Sequence, residues 1–160
     1  MIKGKAIKFE DNVDTDQIIG AEYLTLATVD DMVKHTFENY KHFRDDYQVG
    51  DVIVGGHNFG CGSSREQAPA VLKQGGAGAV VAKDFARIFY RSAINLGLLV
   101  LECDETDKIS HLDQLEIDFS TGRIRNVTRQ EEYQTKPLPP FIRGILDAGG
   151  IINYMAQKTK

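Results

Sequence analysis

The middle of the chain alternates short runs of consecutive apolar residues with segments in which apolar residues recur every three to four positions. The short runs predict strands that are buried on both faces, and the periodic segments predict helices packed against them. The resulting order is strand, helix, strand, helix, strand, with strands at 51–54, 77–82 and 98–102 and helices at 70–74 and 85–96. This order is typical of parallel strands joined by right-handed crossovers.

The two ends of the chain have a different pattern. Residues 115–119 and 123–127 alternate apolar and polar positions on either side of a glycine turn, which predicts a hairpin with one solvated face. The other predicted elements are a strand at 3–9 and helices at 30–38, 141–148 and 151–157. Together the patterns predict a single α/β domain over residues 1–160, with a parallel sheet, an antiparallel addition and flanking helices.

Composition narrows the class of protein. A chain of 160 residues can bury one sizeable core. The formal net charge is -4 and no basic run occurs, so no nucleic-acid partner is expected. No apolar stretch reaches membrane-spanning length, and the first residues lack the apolar core of a signal peptide, so no membrane partner is expected. Cys61 and Cys103 are too few for a disulfide framework, which favours a cytoplasmic location.

The sequence predicts no metal-binding residue. Two cysteines are too few to ligate an iron–sulfur cluster or a structural zinc. The acid-rich stretch 10–16 lacks the central glycine and closing glutamate of a calcium loop, and it predicts a turn stabilised by Asx side chains. His35, His42 and His111 have no metal-site spacing and are expected to be solvated or at the edge of the core.

Residues 55–69 form a glycine-rich loop between a predicted strand and a predicted helix. Four of its first eight residues are glycine, so backbone N–H groups can approach a ligand closely. The loop continues with Ser63, Ser64 and Arg65 at a helix N-terminus, a combination suited to binding a carboxylate or phosphate. In a simpler interpretation, each serine caps the helix with the acid or amide three residues further on. Capping leaves Arg65 unexplained, because a positive charge opposes the helix dipole at this end.

The helix predicted at 85–96 has its own boundary signals. Asp84 is expected to cap its start, and Gly97 is expected to end it. Arg87 and Arg91 lie one helical turn apart and either share an anion or form a solvated face. The pattern leaves both interpretations open.

Three segments, in order along the chain, resemble motifs of the aconitase superfamily. Residues 58–66 are similar to its Gly-Ser-Ser-Arg-Glu signature, 12–18 to its Thr-Asp loop, and 85–97 with the following strand to its Phe-x-x-Ile-Phe helix. The similarity extends over about residues 3 to 157, and the length resembles that of the superfamily's free-standing small subunits. The resemblance implies a swivelling β/β/α three-layer domain. It also implies a stereospecific dehydration and rehydration that moves a hydroxyl between adjacent carbons of a malate derivative.

The same resemblance implies roles for individual residues. Ser63, the first serine of the signature, is the expected catalytic base and would act as an alkoxide. The glycine loop and the helix N-terminus would stabilise its negative charge, the loop residues being Gly60, Cys61 and Gly62. The remaining matched positions are expected to bind substrate: Ser64 by a hydrogen bond, Arg65 as a fork on a carboxylate, and Thr15 and Asp16 in support.

No cofactor is expected in this chain. The resemblance implies a [4Fe-4S] cluster on a separate large subunit, where the open iron would act as a Lewis acid on the leaving hydroxyl. The expected partners are therefore this large subunit, in a heterodimer or heterotetramer, and a malate derivative. The alternative from another functional class is a non-catalytic module that binds an organic anion, or a scaffold.

By the same resemblance, the group that varies between substrates lies beside Tyr23, Leu24, Thr25 and Leu26, which are expected to bind substrate. Residues 18–33 contain no arginine or lysine to pair with a third carboxylate, and an unpaired buried carboxylate is costly. The two leucines favour an isopropyl group, whereas Thr25 could serve a polar substituent. We therefore expect 3-isopropylmalate, followed by methylmalate or dimethylmalate, with homocitrate as the tricarboxylate alternative.

Overall fold

The computed structural model describes residues 1–159, which contain one seven-stranded sheet. Its strands are β1 (Ile2–Lys8), β2 (Val52–Val54), β3 (Ala79–Ala82), β4 (Val100–Glu102), β5 (Gln114–Asp118), β6 (Arg123–Asn126) and β7 (Glu131–Gln134). They lie in the order β4-β3-β2-β1-β5-β6-β7. Strands β1 to β4 pair in parallel, and β5, β6 and β7 add antiparallel pairs beyond β1. The predicted parallel strands and the predicted hairpin are confirmed.

Seven α-helices accompany the sheet in the described residues, together with two short 3-10 helices, Ala21–Tyr23 and Thr106–Lys108. The α-helices are α1 (Thr15–Ile18), α2 (Val29–Val33), α3 (Lys41–Asp46), α4 (Gln67–Gln74), α5 (Arg87–Leu96), α6 (Pro140–Ala148) and α7 (Ile151–Lys158). The predictions for α4 to α7 are confirmed, although α4 begins at Gln67 rather than at residue 70. Helices α1 and α3 and strand β7 were not predicted, because four to six residues are too few to display a periodicity.

Two predicted helix boundaries are wrong. The helix expected at 30–38 ends at Val33, and the fully buried Phe37 lies in the left-handed region with φ of +47°, which breaks the helical path. Asp84 does not cap α5, because the N-cap is Ala86. The Asp84 carboxylate instead accepts hydrogen bonds from the Asn58 N–H (2.6 Å) and contacts His57 Nδ1 (2.7 Å). The prediction for Gly97 is confirmed by its left-handed φ of +81° at the end of α5.

Alternate residues of the parallel strands point into two separate cores. On one side of β2, Ile53 packs with residues of the helices, such as Val71 and Phe89. On the other side, Val52 and Val54 pack with residues of the antiparallel strands, including Leu115, Ile117, Ile124 and Tyr133. The sheet therefore curls back over itself. This confirms the expected three-layer β/β/α arrangement.

The carboxyl ends of β1, β2 and β3 meet at one edge of the sheet, because parallel strands end on the same side. The loops that follow these strands pair with each other at two isolated bridges, Asp14 with Cys61 and Phe59 with Phe85. The glycine-rich loop therefore lies between the acid-rich loop and the start of α5. None of the helices in residues 1–159 is both long enough and apolar enough to cross a bilayer.

Candidate active site

A pocket of about 210 Å³ opens where these three loops meet. Its lining comes from the acid-rich loop, the glycine-rich signature and the first turns of α5: Thr15, Gly60, Gly62, Ser63, Ser64, Arg65, Ala86, Arg87, Ile88, Phe89 and Ser92. Three segments that are remote in the sequence therefore form one concavity. Four of the residues predicted to catalyse or to bind substrate lie in its wall, together with two glycines of the predicted anion loop.

Backbone contacts hold the glycine-rich loop in position. The Thr15 N–H donates to Cys61 O at 2.8 Å, and Thr15 Oγ1 donates to Ser63 O at 2.8 Å. Thr15 is buried, so its hydroxyl is used to fix the backbone at Ser63. This geometry agrees with the supporting role expected for Thr15.

Gly60 packs against the ring of Phe89, and its backbone N–H is already hydrogen-bonded within the protein. Its φ is +86°, and a Cβ atom there would lie 2.2 Å from Phe89 Cγ, so only glycine fits beside this ring. The Gly60 N–H donates to Val13 O at 2.6 Å. The expected role of Gly60 as an anion donor is therefore corrected, because its hydrogen atom points to the protein. Of the three loop residues, Cys61 and Gly62 remain as candidates for that role.

The serines of the signature do not cap α4. The N-cap of α4 is Glu66, and no side chain accepts a hydrogen bond at that position. Ser63 and Ser64 are exposed, and neither hydroxyl has a hydrogen-bond partner within residues 1–159. The capping interpretation is therefore wrong. Both hydroxyls are available to a ligand in the pocket.

Arg65 already has an anionic partner in the protein. Its Nη1 donates to Asp16 Oδ1 at 2.7 Å and to Ile19 O at 3.1 Å, and its side chain is only 17% exposed. These two bonds use both protons of Nη1, whereas Nε and Nη2 have no partner within the described residues. The hydrogen bond from Arg65 also holds the pKa of Asp16 below its ordinary value, so Asp16 remains a carboxylate. The positive charge left unexplained by the sequence is thus balanced by Asp16, and the outer edge of the guanidinium is still free to bind a carboxylate.

The start of α5 adds a feature that sequence reasoning missed. Its first residues line the pocket, and no side chain caps its N-terminal N–H groups. The predicted anion-binding helix N-terminus was that of α4, but α5 is the one that lines the pocket. The strand–helix alternation could have indicated this, since it places every helix start at the same edge of the sheet as the glycine-rich loop.

The structure also distinguishes the two arginines of α5. Arg87 lines the pocket beside the signature, so two arginines, Arg65 and Arg87, lie in its wall. Both arginines of α5 are exposed, but Arg91 does not line the pocket. Arg91 therefore belongs to a solvated face, and Arg87 belongs to the candidate site.

The segment Tyr23–Leu26 does not line this pocket. Leu24 and Leu26 are half-buried against the core on the helical side of the sheet. The Tyr23 ring stacks on His35 with 3.8 Å between ring centroids, and its hydroxyl donates to Glu38. The hydrogen bond to Glu38 raises the pKa of Tyr23 to about 12. The expected contact between this segment and the substrate thus stays a prediction.

The remaining candidate ligands are engaged in the protein. His42 Nε2 lies 2.9 Å from Lys8 O, and His111 Nε2 lies 2.8 Å from Asp46 Oδ2. Partial burial raises the pKa of the Cys61 thiol, so it is protonated at neutral pH and is not a base. Within residues 1–159, no three His, Cys, Asp or Glu side chains are grouped closely enough to hold a metal ion.

The acid-rich loop forms the predicted Asx turn. Asp14 Oδ1 accepts from the Gln17 N–H at 2.8 Å and the Gln17 side chain accepts from the Asp14 N–H at 2.8 Å, so the two residues form a capping box at the start of α1. The prediction of a turn stabilised by Asx side chains is confirmed. The capping box fixes the start of α1, and with it Thr15 and Asp16.

Comparison with known protein families identifies the class of protein to which this fold and pocket belong. The family model of the aconitase C-terminal domain matches residues 5–106, more than half of the chain. This chain belongs to the aconitase C-terminal domain family.

Individual relatives show which members of this family the chain is similar to. The chain is 51% identical over 152 residues to the 3-isopropylmalate dehydratase small subunit 1 of Archaeoglobus fulgidus, with 94% of each chain covered. It is 52% identical over 154 residues to the 3-isopropylmalate dehydratase small subunit of Methanosarcina mazei, covering 96% of this chain and 95% of the relative. A crystal structure of 3-isopropylmalate dehydratase from Methanocaldococcus jannaschii superposes with a TM-score of 0.94 and 43% identity, covering 99% and 95% of the two chains. The resemblance noted in the sequence is confirmed, and so is the fold.

Proposed function

We propose that this chain is the small subunit of a two-subunit 3-isopropylmalate dehydratase. This hydro-lyase interconverts 2-isopropylmalate and 3-isopropylmalate by dehydration and rehydration, a step of leucine biosynthesis. Nearly full-length similarity to relatives of that name supports the proposal. The observation that carries it is the pocket, which is lined by two serines with uncommitted hydroxyls, two arginines and an uncapped helix N-terminus.

Ser63 acts as the base in this proposal. The reaction removes a proton from a carbon next to a carboxylate, the C–H electrons form the double bond, and the hydroxyl leaves the adjacent carbon. Ser63 Oγ, present as an alkoxide, accepts the proton. In the rehydration that follows, the hydroxyl adds to the carbon that lost the proton and a proton adds to the carbon that lost the hydroxyl, which completes the isomerisation. A serine alkoxide requires strong stabilisation, which the amides of Cys61 and Gly62, the start of α5 and the charge of Arg87 supply.

Arg65 holds a substrate carboxylate. Because both protons of Nη1 are used by Asp16 and Ile19, the carboxylate binds the edge formed by Nε and Nη2. Asp16 thereby acts as a positioning residue that fixes the orientation of the guanidinium plane. Ser64 donates its free hydroxyl to the same substrate.

A partner completes the site. The name shared by the relatives is that of a small subunit, which implies a large one. A [4Fe-4S] cluster on that subunit would supply Lewis-acid chemistry for departure of the hydroxyl. Its ligands would come from the partner, because the two cysteines of this chain, the half-buried Cys61 and the buried Cys103, are too few to ligate a cluster. We propose a cytoplasmic heterodimer or heterotetramer.

The segment Tyr23–Leu26 selects the substrate in this proposal. No cationic side chain occurs in residues 18–33, so a third carboxylate would lack a partner there. The side chains of Leu24 and Leu26 instead stabilise an isopropyl group by about 0.8 kcal/mol for each carbon that they bury. Methylmalate and dimethylmalate are the next candidates, followed by homocitrate.

The test is reconstitution with a cluster-bearing large subunit. The mixture should isomerise isopropylmalate, whereas each subunit alone should be inactive. Ser63→Ala should lower kcat by about 10²–10⁴ while substrate still binds, as is typical for loss of a positioned base. Ser120→Ala, in the distant hairpin turn, serves as the matched control. Substrate binding without turnover in the wild-type mixture would favour the non-catalytic anion-binding module, and near-normal kcat in Ser63→Ala would remove Ser63 from its role.

A further inference from the structure

A second polar cluster lies outside the pocket and contacts the segment Tyr23–Leu26. Glu38 accepts hydrogen bonds with both carboxylate oxygens, from the Tyr23 hydroxyl at Oε2 and from His35 Nδ1 at Oε1, the latter at 2.8 Å. Because a carboxylate can only accept, the His35 proton in this contact is on Nδ1. The rings of Tyr23 and His35 stack within 8° of parallel. We call these three residues the Glu38 cluster.

The backbone directs Glu38 toward Tyr23. Phe37 is fully buried, stacks on Phe9 with 4.2 Å between centroids, and has a left-handed φ of +47°. A bulky residue rarely adopts this conformation, and it persists only where surrounding contacts require it. The contacts here are the aromatic core and the hydrogen bond from Phe37 N to Ile18 O at 2.9 Å. The turn that follows α2 is therefore fixed, and Glu38 is presented by a rigid part of the chain.

The segment is consequently held at two points. Four residues before its start, Arg65 of the pocket donates to Ile19 O. At Tyr23, the Glu38 cluster fixes the aromatic ring. Between and after these points the backbone makes only local hydrogen bonds, such as Leu24 N–H to Ala21 O at 3.2 Å and Leu26 N–H to Tyr23 O at 3.1 Å, while Leu24 and Leu26 are half-buried against the core. Such short, partly exposed turns do not define a conformation by themselves.

We infer that Glu38, with His35, is a positioning residue for substrate selection. By fixing the Tyr23 ring, Glu38 sets the conformation in which Leu24, Thr25 and Leu26 meet the variable group of the substrate. This inference rests on the proposed function of the segment. Glu38 itself touches neither the pocket nor Ser63, so its removal changes selectivity and leaves the chemical step intact.

The first experiment tests the contact without any substrate. Hydrogen exchange at the amides of Leu24 and Leu26 is compared between the full wild-type chain, Glu38→Ala and the control Glu22→Ala. Glu22 is an exposed acid directly before the segment and has no side-chain hydrogen bond within residues 1–159. Exchange should accelerate in Glu38→Ala alone. Equal exchange in all three proteins would overturn the inference, whatever the substrate is.

The second experiment uses the enzyme assembled with its large subunit. Glu38→Ala should raise KM for isopropylmalate by about tenfold and reduce the preference for isopropylmalate over methylmalate. The value of kcat should stay within about twofold of wild type, because the lost contacts bind the substrate and the transition state equally well. Glu38→Gln should restore most of the loss, since an amide can accept from Tyr23 and donate to the other tautomer of His35. The double variant with Tyr23→Phe and Glu38→Ala should raise KM no more than the single change with the larger effect, because both changes remove the same contact.

The outcomes separate this inference from the proposed function. An unchanged preference in Glu38→Ala would overturn the positioning role, even if hydrogen exchange is faster. An equal loss of kcat for every substrate would indicate a structural role and overturn it as well. If the assembled wild-type enzyme does not act on isopropylmalate, the proposed function fails, whereas the exchange comparison still decides whether Glu38 fixes the segment.

Discussion

Replacing Gly60 by alanine tests whether the packing of the glycine-rich loop against α5 shapes the pocket. The new Cβ would lie 2.2 Å from Phe89 Cγ and 2.5 Å from Phe89 Cβ, far inside contact distance. Phe89 is 3% exposed and contacts Phe59 and Phe85, so its ring has no free space to enter. Overpacking of a core costs about 1–3 kcal/mol, and a left-handed alanine adds about 1–2 kcal/mol. We therefore expect Gly60→Ala to lower the free energy of unfolding by about 2–5 kcal/mol.

Gly50→Ala is the matched control for this experiment. Gly50 also has a left-handed φ, +97°, but a Cβ atom there would meet nothing within 4 Å. Gly50→Ala should therefore lower the free energy of unfolding only by the cost of a left-handed alanine, about 1–2 kcal/mol. Urea unfolding of the two variants and the wild type isolates the overpacking contribution as the difference between the variants. If both variants lose the same free energy of unfolding, the ring of Phe89 yields without cost and the packing argument is refuted.

Three further predictions concern the assembled enzyme. Arg65→Lys should raise KM sharply, because an ammonium group cannot replace a two-point contact with a carboxylate, and an unchanged KM would contradict the proposed carboxylate site. Arg87→Ala should lower kcat/KM whereas Arg91→Ala, one turn further along α5, should not, and equal effects would contradict their different positions. Thr25→Arg should shift the kcat/KM ratio toward homocitrate, because it supplies the missing cation, and an unchanged ratio in a substrate panel would remove the segment from substrate selection.

The pKa of Asp16 provides a measurement on the isolated chain. The hydrogen bond from Arg65 lowers this pKa in the folded state, so the pair stabilises the fold above the ordinary pKa of an aspartate. That stabilisation is lost as the pH falls through the lowered value. An NMR titration should show the Asp16 pKa rising toward its ordinary value in Arg65→Ala, and no change would contradict the ion pair.

The sequence by itself determined the elements with a clear local signal. Buried strands such as β2 and β3 appear as apolar runs, and α5 has ten residues, enough to display its periodicity. The turn at Gly122 has φ of +75°, which explains why a glycine marks the hairpin. The resemblance to the aconitase superfamily likewise depended on contiguous motifs. The chemistry expected of Ser63, Ser64 and Arg65 therefore came from residues adjacent in the chain.

Only the tertiary structure decided which distant residues share the pocket. Asp16 and Arg65 are 49 positions apart, and no periodicity links them, yet their ion pair fixes the orientation of the guanidinium. Arg87 and Arg91 are equivalent in the sequence, and the direction in which α5 leaves β3 makes only Arg87 part of the site. Tyr23 is likewise bound to Glu38 because a strained turn at Phe37 brings the two together. Such contacts form only when the sheet curls and its loops pack at one edge. Because they join residues that are far apart in the chain, they leave no local pattern in the sequence.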